Sequence, residues 1–185
     1  MNKAIIIHGT GGNPKGNWFP WMAAELEKQG VSVQIPRMPT PEGQSLTNWL
    51  TAFQQQIGEV DESCTVIGHS VGAVFLLRLL ERLSGPIGRS VFVAGFVGRL
   101  GAPEFDTLNA TFVEAPYDWQ TIRKNAGSVL CLSGSDDPYV PREQGRQLAT
   151  NLNVQEQVIE NGGHLNAGSG YLTFPLLLQE VLRSE

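Results

Sequence analysis

Residues 65–73 read TVIGHSVGA: an apolar, β-branched run that stops at Gly-His-Ser-Val-Gly. A second apolar run, VFLLRLL over residues 74–80, follows with almost no spacer. The first run reads as a strand buried on both faces and the second as a buried helix, so Ser70 stands at the corner between them. Glycines two residues before and two after the serine let the backbone pass close on each side. Such a corner pushes the hydroxyl outward above the C-terminal edge of the sheet. There the N–H groups and dipole of a helix N-terminus favour developing negative charge.

The rest of the chain repeats that alternation. Strands are expected over 4–7, 31–35, 64–67, 90–94, 129–133 and 154–159, the last alternating in polarity as an edge strand does. Helices are expected over 18–29, 46–57, 71–83, 117–126, 141–151 and 171–183, several opened by proline or closed by glycine. Alternating strands and helices argue for one parallel sheet covered on both faces. Residues 1–185 read as a single domain. The interval 95–117, rich in Gly, Pro and Phe without a clear period, reads as a binding loop or small lid-like excursion.

Composition limits the function classes. The hydrophobic fraction is 41%, the charged fraction 17% and the net charge −5, with no basic run. Nucleic acid and membrane surfaces are therefore not expected partners. No window reaches the run of about 18 apolar residues that a membrane span needs. The first residues, MNKAIIIHG, make no signal-peptide core, so a cytoplasmic location is expected. Cys64 and Cys131, each in a strand-like run, read as buried free thiols of a reducing compartment.

A serine hydroxyl needs a base within reach. Of three histidines, His69 adjoins Ser70 and should point away, and His8 ends the first strand. His164, in the glycine-rich NGGHLN just past the last strand, sits where a base facing Ser70 belongs. The base needs a carboxylate to fix its tautomer. SGSDDPYVP offers Asp136 and Asp137 at the same edge, and composition alone does not choose between them. The order serine, acid, histidine is that of α/β-hydrolases. HGTGG after the first strand supplies backbone donors for an oxyanion hole. Thr10 is the first choice and Gly11 the second, paired with the N–H of Val71. His8 and Gly11 would also border the substrate. Trp18, Phe96, Phe105, Phe112 and Trp119 are candidates to line an acyl pocket.

Nucleotide-binding readings of GTGGNPKG fail. Pro14 replaces the glycine of the dinucleotide fingerprint, and Asn17-Trp18 stand where a P-loop requires Lys-Ser/Thr. No cysteine or histidine pair has metal-ligand spacing, so no metal and no cofactor is expected.

The chain resembles the small α/β-hydrolases of the YdeN and retinoblastoma-binding-protein-nine type, nearly end to end. The stretches that carry the likeness are NWFPWM, MPTP, Trp49, GHSVGA, PYDWQTI, GSDDPYVP and GGH. The resemblance implies Ser70 as nucleophile, Asp137 as orienting acid and His164 as base. Because the His-Gly turn arrives at residue 8, it also implies a compact sheet without leading antiparallel strands. That is a six-stranded parallel sheet in the order 2-1-3-4-5-6, with the site at the switch point above the first and third strands. The expected function is a serine hydrolase of carboxylic esters, thioesters or amides, acting on a small acyl substrate through an acyl-enzyme. The rival is a catalytically silent binding module on the same scaffold. The short excursion favours an open site and short acyl groups.

Overall fold

In the computed structural model, residues 1–183 are described, and six strands form one parallel sheet in the order β2-β1-β3-β4-β5-β6. The strands are β1 (Lys3–Ile7), β2 (Ser32–Gln34), β3 (Cys64–His69), β4 (Arg89–Val93), β5 (Ser128–Gly134) and β6 (Glu156–Ile159). The chain reverses its direction of travel between β1 and β3, whose registers pair Lys3 with Cys64 and Ile7 with Gly68. A crevice opens there at the C-terminal edge.

Strand pleating sorts the core into two halves. Ile5, Ile7, Val66, Phe92 and Cys131 face one layer, while Ala4, Ile6, Ile67, Val91 and Leu132 face the other. Helices α1 (Phe19–Lys28) and α7 (Pro175–Leu182) cover the second face. The first face takes α2 (Leu46–Gln56), α3 (Val71–Leu80), α4 (Pro103–Val113), α5 (Trp119–Asn125) and α6 (Arg142–Asn151). Every residue of α3 is buried, as its apolar sequence requires of a helix enclosed on all sides. Capping follows side-chain chemistry. Ser45 accepts the N–H of Asn48 at 3.2 Å, and Asp118 accepts that of Thr121 at 3.0 Å.

Two expectations are revised. The interval 95–117 contains α4, with Pro103 opening it and Glu104 and Asp106 in its first turn. Asp106 ties the entry, accepting the N–H groups of Leu100 at 2.6 Å and Gly101 at 3.1 Å. The last helix starts at Pro175 instead of residue 171. Residues Ala167–Ser169 form a 3-10 turn whose exit, Gly170, is left-handed at φ 90°. Both cysteines are free and buried, and burial pushes the Cys131 thiol up to about 12, which keeps it inert.

Candidate active site

Ser70 joins β3 to α3 with φ 58° and ψ −125°, a left-handed conformation that costs a side-chain-bearing residue of order 1–3 kcal/mol. The backbone holds it there from both sides. Its N–H donates to the carbonyl of Val93 at 2.9 Å, and its carbonyl accepts the N–H of Ala73 at 2.9 Å. A Cβ on Gly72 would strike the carbonyl oxygens of Ile7 and His8, and one on Gly68 would strike the backbone of Gly72 and Ala73. Gly9 adds a third close approach, since a Cβ there would lie 2.8 Å from Cβ of Ser70. The three glycines bring β1, β3 and α3 into backbone contact around one hydroxyl.

His164 lines the same pocket as Ser70, at the opposite end of the chain. Its Nδ1–H donates to Oδ2 of Asp137 at 2.7 Å, with both side chains buried. That bond leaves Nε2 as the basic nitrogen. The other oxygen of Asp137 accepts the N–H groups of Tyr139 at 2.8 Å and Val140 at 3.0 Å, so the carboxylate cannot swing away. Asp136 does a different job: its Oδ1 accepts the N–H of Gly163 at 2.8 Å and anchors the loop that carries the histidine.

That loop is held mostly by residues other than the two aspartates. His69 Nε2–H donates to the His164 carbonyl at 3.0 Å, Ser169 Oγ accepts the His164 N–H at 3.1 Å, and Asn17 accepts the N–H of Ala167 at 3.0 Å. Trp18 Nε1–H donates to the carbonyl of Leu165 at 2.9 Å. Burial, and then the nearby His164, pushes the His69 ring down to about 3. It is therefore neutral.

The pocket itself measures about 200 Å³ and is lined by Thr10, Ser70, Leu100, Phe105, Asn109, Tyr139, Val140, His164 and Asn166. A larger groove of about 790 Å³ lies between α2 and the end of α3, but none of Ser70, Asp137 and His164 lines it. The N–H groups of Thr10, which lines the pocket, and of Val71, which follows Ser70, donate to no described residue. Val71 opens α3, where an N–H has no intrahelical acceptor.

Four sequence-derived candidates fall elsewhere. His8 is fully buried beneath the turn: its Nε2 accepts the N–H of Met38 at 3.0 Å and its Nδ1–H donates to Gly9 carbonyl at 2.9 Å. Burial lowers its pKa, and it acts as a neutral peg between loops instead of touching substrate. The Gly11 N–H is committed to Thr40 Oγ1 at 2.7 Å, which removes it as an oxyanion donor. Trp18 packs with Phe19 and Phe174 on the far side of the sheet and straps the His164 loop. Phe96 is 1% exposed within the core of the first face. Of the other aromatic candidates only Phe105 reaches the pocket. Phe112 packs on Trp49 and Trp119 on Tyr117, each inside the apolar layer. Tyr139, whose ring lies 5.0 Å from His164 and 5.9 Å from Phe105, was missed. Its place two residues after the orienting acid was the available signal. Leu100, Asn109, Val140 and Asn166 carried none that a linear pattern shows.

The model of a family described as serine hydrolase matches residues 4–183. The chain is 29% identical over 187 residues to YdeN of Bacillus subtilis (strain 168), covering all of this chain and 96% of that one. It is 25% identical over 165 residues to the serine hydrolase RBBP9 of Rattus norvegicus, covering 88% of this chain and 86% of that one. The crystal structure of the ydeN gene product superimposes with a TM-score of 0.90 at 27% identity, over 98% of this chain and 97% of that one. The Ser70 corner, the six strands of the sheet and the loop that carries His164 all lie within these matched lengths. A match running from residue 4 to residue 183 covers the whole working part of the fold, and the chain belongs to the serine hydrolase family.

Proposed function

We propose that the protein hydrolyses carboxylic esters of short acyl groups, with thioesters and amides as chemically related substrates, through Ser70, His164 and Asp137. The observation that carries this reading is the juxtaposition of a strained, outward-facing serine with a histidine whose Nδ1 is 2.7 Å from a fixed carboxylate. Ser70 Oγ attacks the carbonyl carbon while His164 Nε2 takes its proton, and Asp137 stabilises the imidazolium that forms. The carbonyl π electrons move onto oxygen, where the N–H groups of Thr10 and Val71 are the available donors; one such donor is worth about 10²–10³ in rate. Collapse of the tetrahedral adduct expels the alcohol, which leaves with the proton from His164. Water then attacks the acyl-Ser70, giving its proton to His164, and a second collapse returns the hydroxyl and releases the acid. The modest pocket and its apolar wall of Leu100, Phe105, Tyr139 and Val140 support a short acyl group.

Labelling with a fluorophosphonate tests the reading. Stoichiometric labelling should disappear in Ser70→Ala and fall steeply in His164→Ala, and ester turnover should fall by about 10⁴ or more in each. A folded wild-type protein that resists the probe would contradict it and favour a binding module.

A further inference from the structure

The inward face of α4 runs Phe105, Asn109, Phe112 at helical spacing, so a polar residue interrupts an apolar stripe. Asn109 is only 3% exposed. Burying an amide is costly unless both of its ends are bonded. Its oxygen is satisfied twice, by Gln44 Nε2 at 2.9 Å and by the Thr10 hydroxyl at 3.2 Å.

The direction of those bonds is forced. The Thr40 hydroxyl accepts the N–H of Gly11 and, because the Gln44 atom it meets is oxygen, donates to Gln44 Oε1 at 2.6 Å. The other end of Gln44 faces the carbonyl of Leu108 at 3.2 Å, which only accepts, and must be the NH2 group. The two hydrogens of Gln44 Nε2 are shared among the Leu108 carbonyl, Thr10 Oγ1 at 3.0 Å and Asn109, and the Thr10 hydroxyl donates to Asn109. The Asn109 atom meeting Gln44 and Thr10 is therefore oxygen, and its NH2 is left over. This NH2 donates to no described residue. It is not sealed off either, because among the described residues the sealed, unpartnered side-chain atoms are His69 Nδ1 and Arg89 Nε. Asn109 lines the pocket that Ser70 and His164 share.

On the hydrolase reading, the pocket beside Ser70 holds the acyl group through both half-reactions, whereas the alcohol departs after the first. We propose that Asn109 is a specificity-determining residue whose Nδ2–H binds an acceptor oxygen of the acyl group beyond the scissile carbonyl. The enzyme then selects short acyl groups bearing an ether, hydroxyl or carbonyl oxygen over plain alkanoyl groups. A plain alkyl chain would cover this N–H and leave it unbonded, and sites built around a hydrogen bond discriminate on that basis. The inference rests on the hydrolase reading above.

The test compares p-nitrophenyl methoxyacetate with p-nitrophenyl butyrate, which differ by one oxygen in place of one methylene, each corrected for its hydroxide-catalysed rate. In wild type the corrected kcat/KM should favour methoxyacetate by about tenfold or more. Asn109→Leu should lower the methoxyacetate value about 10- to 100-fold and the butyrate value far less, with Asn109→Ala as the second variant. Equal losses on both esters would overturn the proposal, because a general role in the oxyanion hole or in folding predicts that. A wild-type ratio no different from that of hydroxide overturns it without any variant. Fluorophosphonate labelling of Ser70 with neither ester turned over would overturn the specificity alone. No labelling at all would overturn the hydrolase reading beneath it.

Discussion

The Ser70 corner and α4 face each other across one small pocket, yet they are built in different ways. The corner is made of backbone. Glycines at 9, 68 and 72 bring β1, β3 and α3 into direct contact, and no side chain is needed to set the serine's angle. The α4 wall is made of side chains reaching in from elsewhere. Arg78, on α3, donates to the carbonyls of Phe112 at 2.8 Å, Pro116 at 3.1 Å and Ala115, and its guanidinium lies 3.8 Å over the Tyr117 ring. Gln44 holds the helix from its other side. A backbone-built corner tolerates no change of shape, whereas a wall hung on side chains can be re-lined without moving the sheet. On the readings proposed above, the chemistry would sit on the first and substrate choice on the second.

The sharpest way to probe the difference is at the paired aspartates beside the corner. Asp137→Asn should lower kcat by about 10⁴, because an amide there no longer holds the Nδ1–H tautomer of His164. Asp136→Asn should cost less than about tenfold, since the amide oxygen can still accept the N–H of Gly163. Steady-state ester kinetics on the two variants checks this, and a larger loss at Asp136 would reverse the assignment.

Two substitutions then break the two regions separately. Gly72→Ala drives a Cβ into the carbonyls of Ile7 and His8 and should cost about 3 kcal/mol in denaturant unfolding. Arg78→Met should cost about the same by a different route, because it strands three carbonyls and Glu81 around a side chain 3% exposed. Mass-spectrometric hydrogen exchange separates the causes: loss of protection should centre on β1 and α3 in the first variant and on α4 in the second.

A smaller contrast lies in pH. The corner carries two buried neutral imidazoles, His8 and His69, both with pKa values below that of an unfolded histidine. As pH falls below about 6.5 the unfolded chain takes up protons that the folded chain refuses, so stability declines toward pH 3–4. One such group contributes a slope of about 1.4 kcal/mol per pH unit. Chemical denaturation at pH 7 and pH 5 should show the fall, and His69→Gln should reduce it. The least effect is expected from Ser70→Gly. It relieves the left-handed strain and should leave stability unchanged or about 1 kcal/mol higher, while abolishing turnover.

Legibility in the sequence follows the same division. The strands and the helix after Ser70 were readable because apolar runs and glycine spacing act over a few neighbouring residues, whereas the sheet order came from the family resemblance. The Ser70 corner was readable for that reason too. Helix α4 was not, since its inner face carries Asn109 at the position where periodicity demands an apolar side chain. The placements of His8 and Trp18 were not legible because their partners, Met38 and Leu165, lie 30 and 147 residues away. Asp137 was separated from Asp136 by family resemblance, and the geometry gives the reason: one carboxylate turns to the imidazole, its neighbour to the loop backbone.

Local pattern alone fixed the parallel sheet, the position of the serine at its edge and the presence of an acid and a histidine past later strands. Only the packed chain decided that His8 and His69 are buried as neutral rings, which N–H groups beside Ser70 remain without a partner among the described residues, and that Asn109 on α4 lines the pocket. Those outcomes depend on hydrogen bonds between residues tens of positions apart, and such partners are chosen by three-dimensional proximity, which no short window of sequence contains.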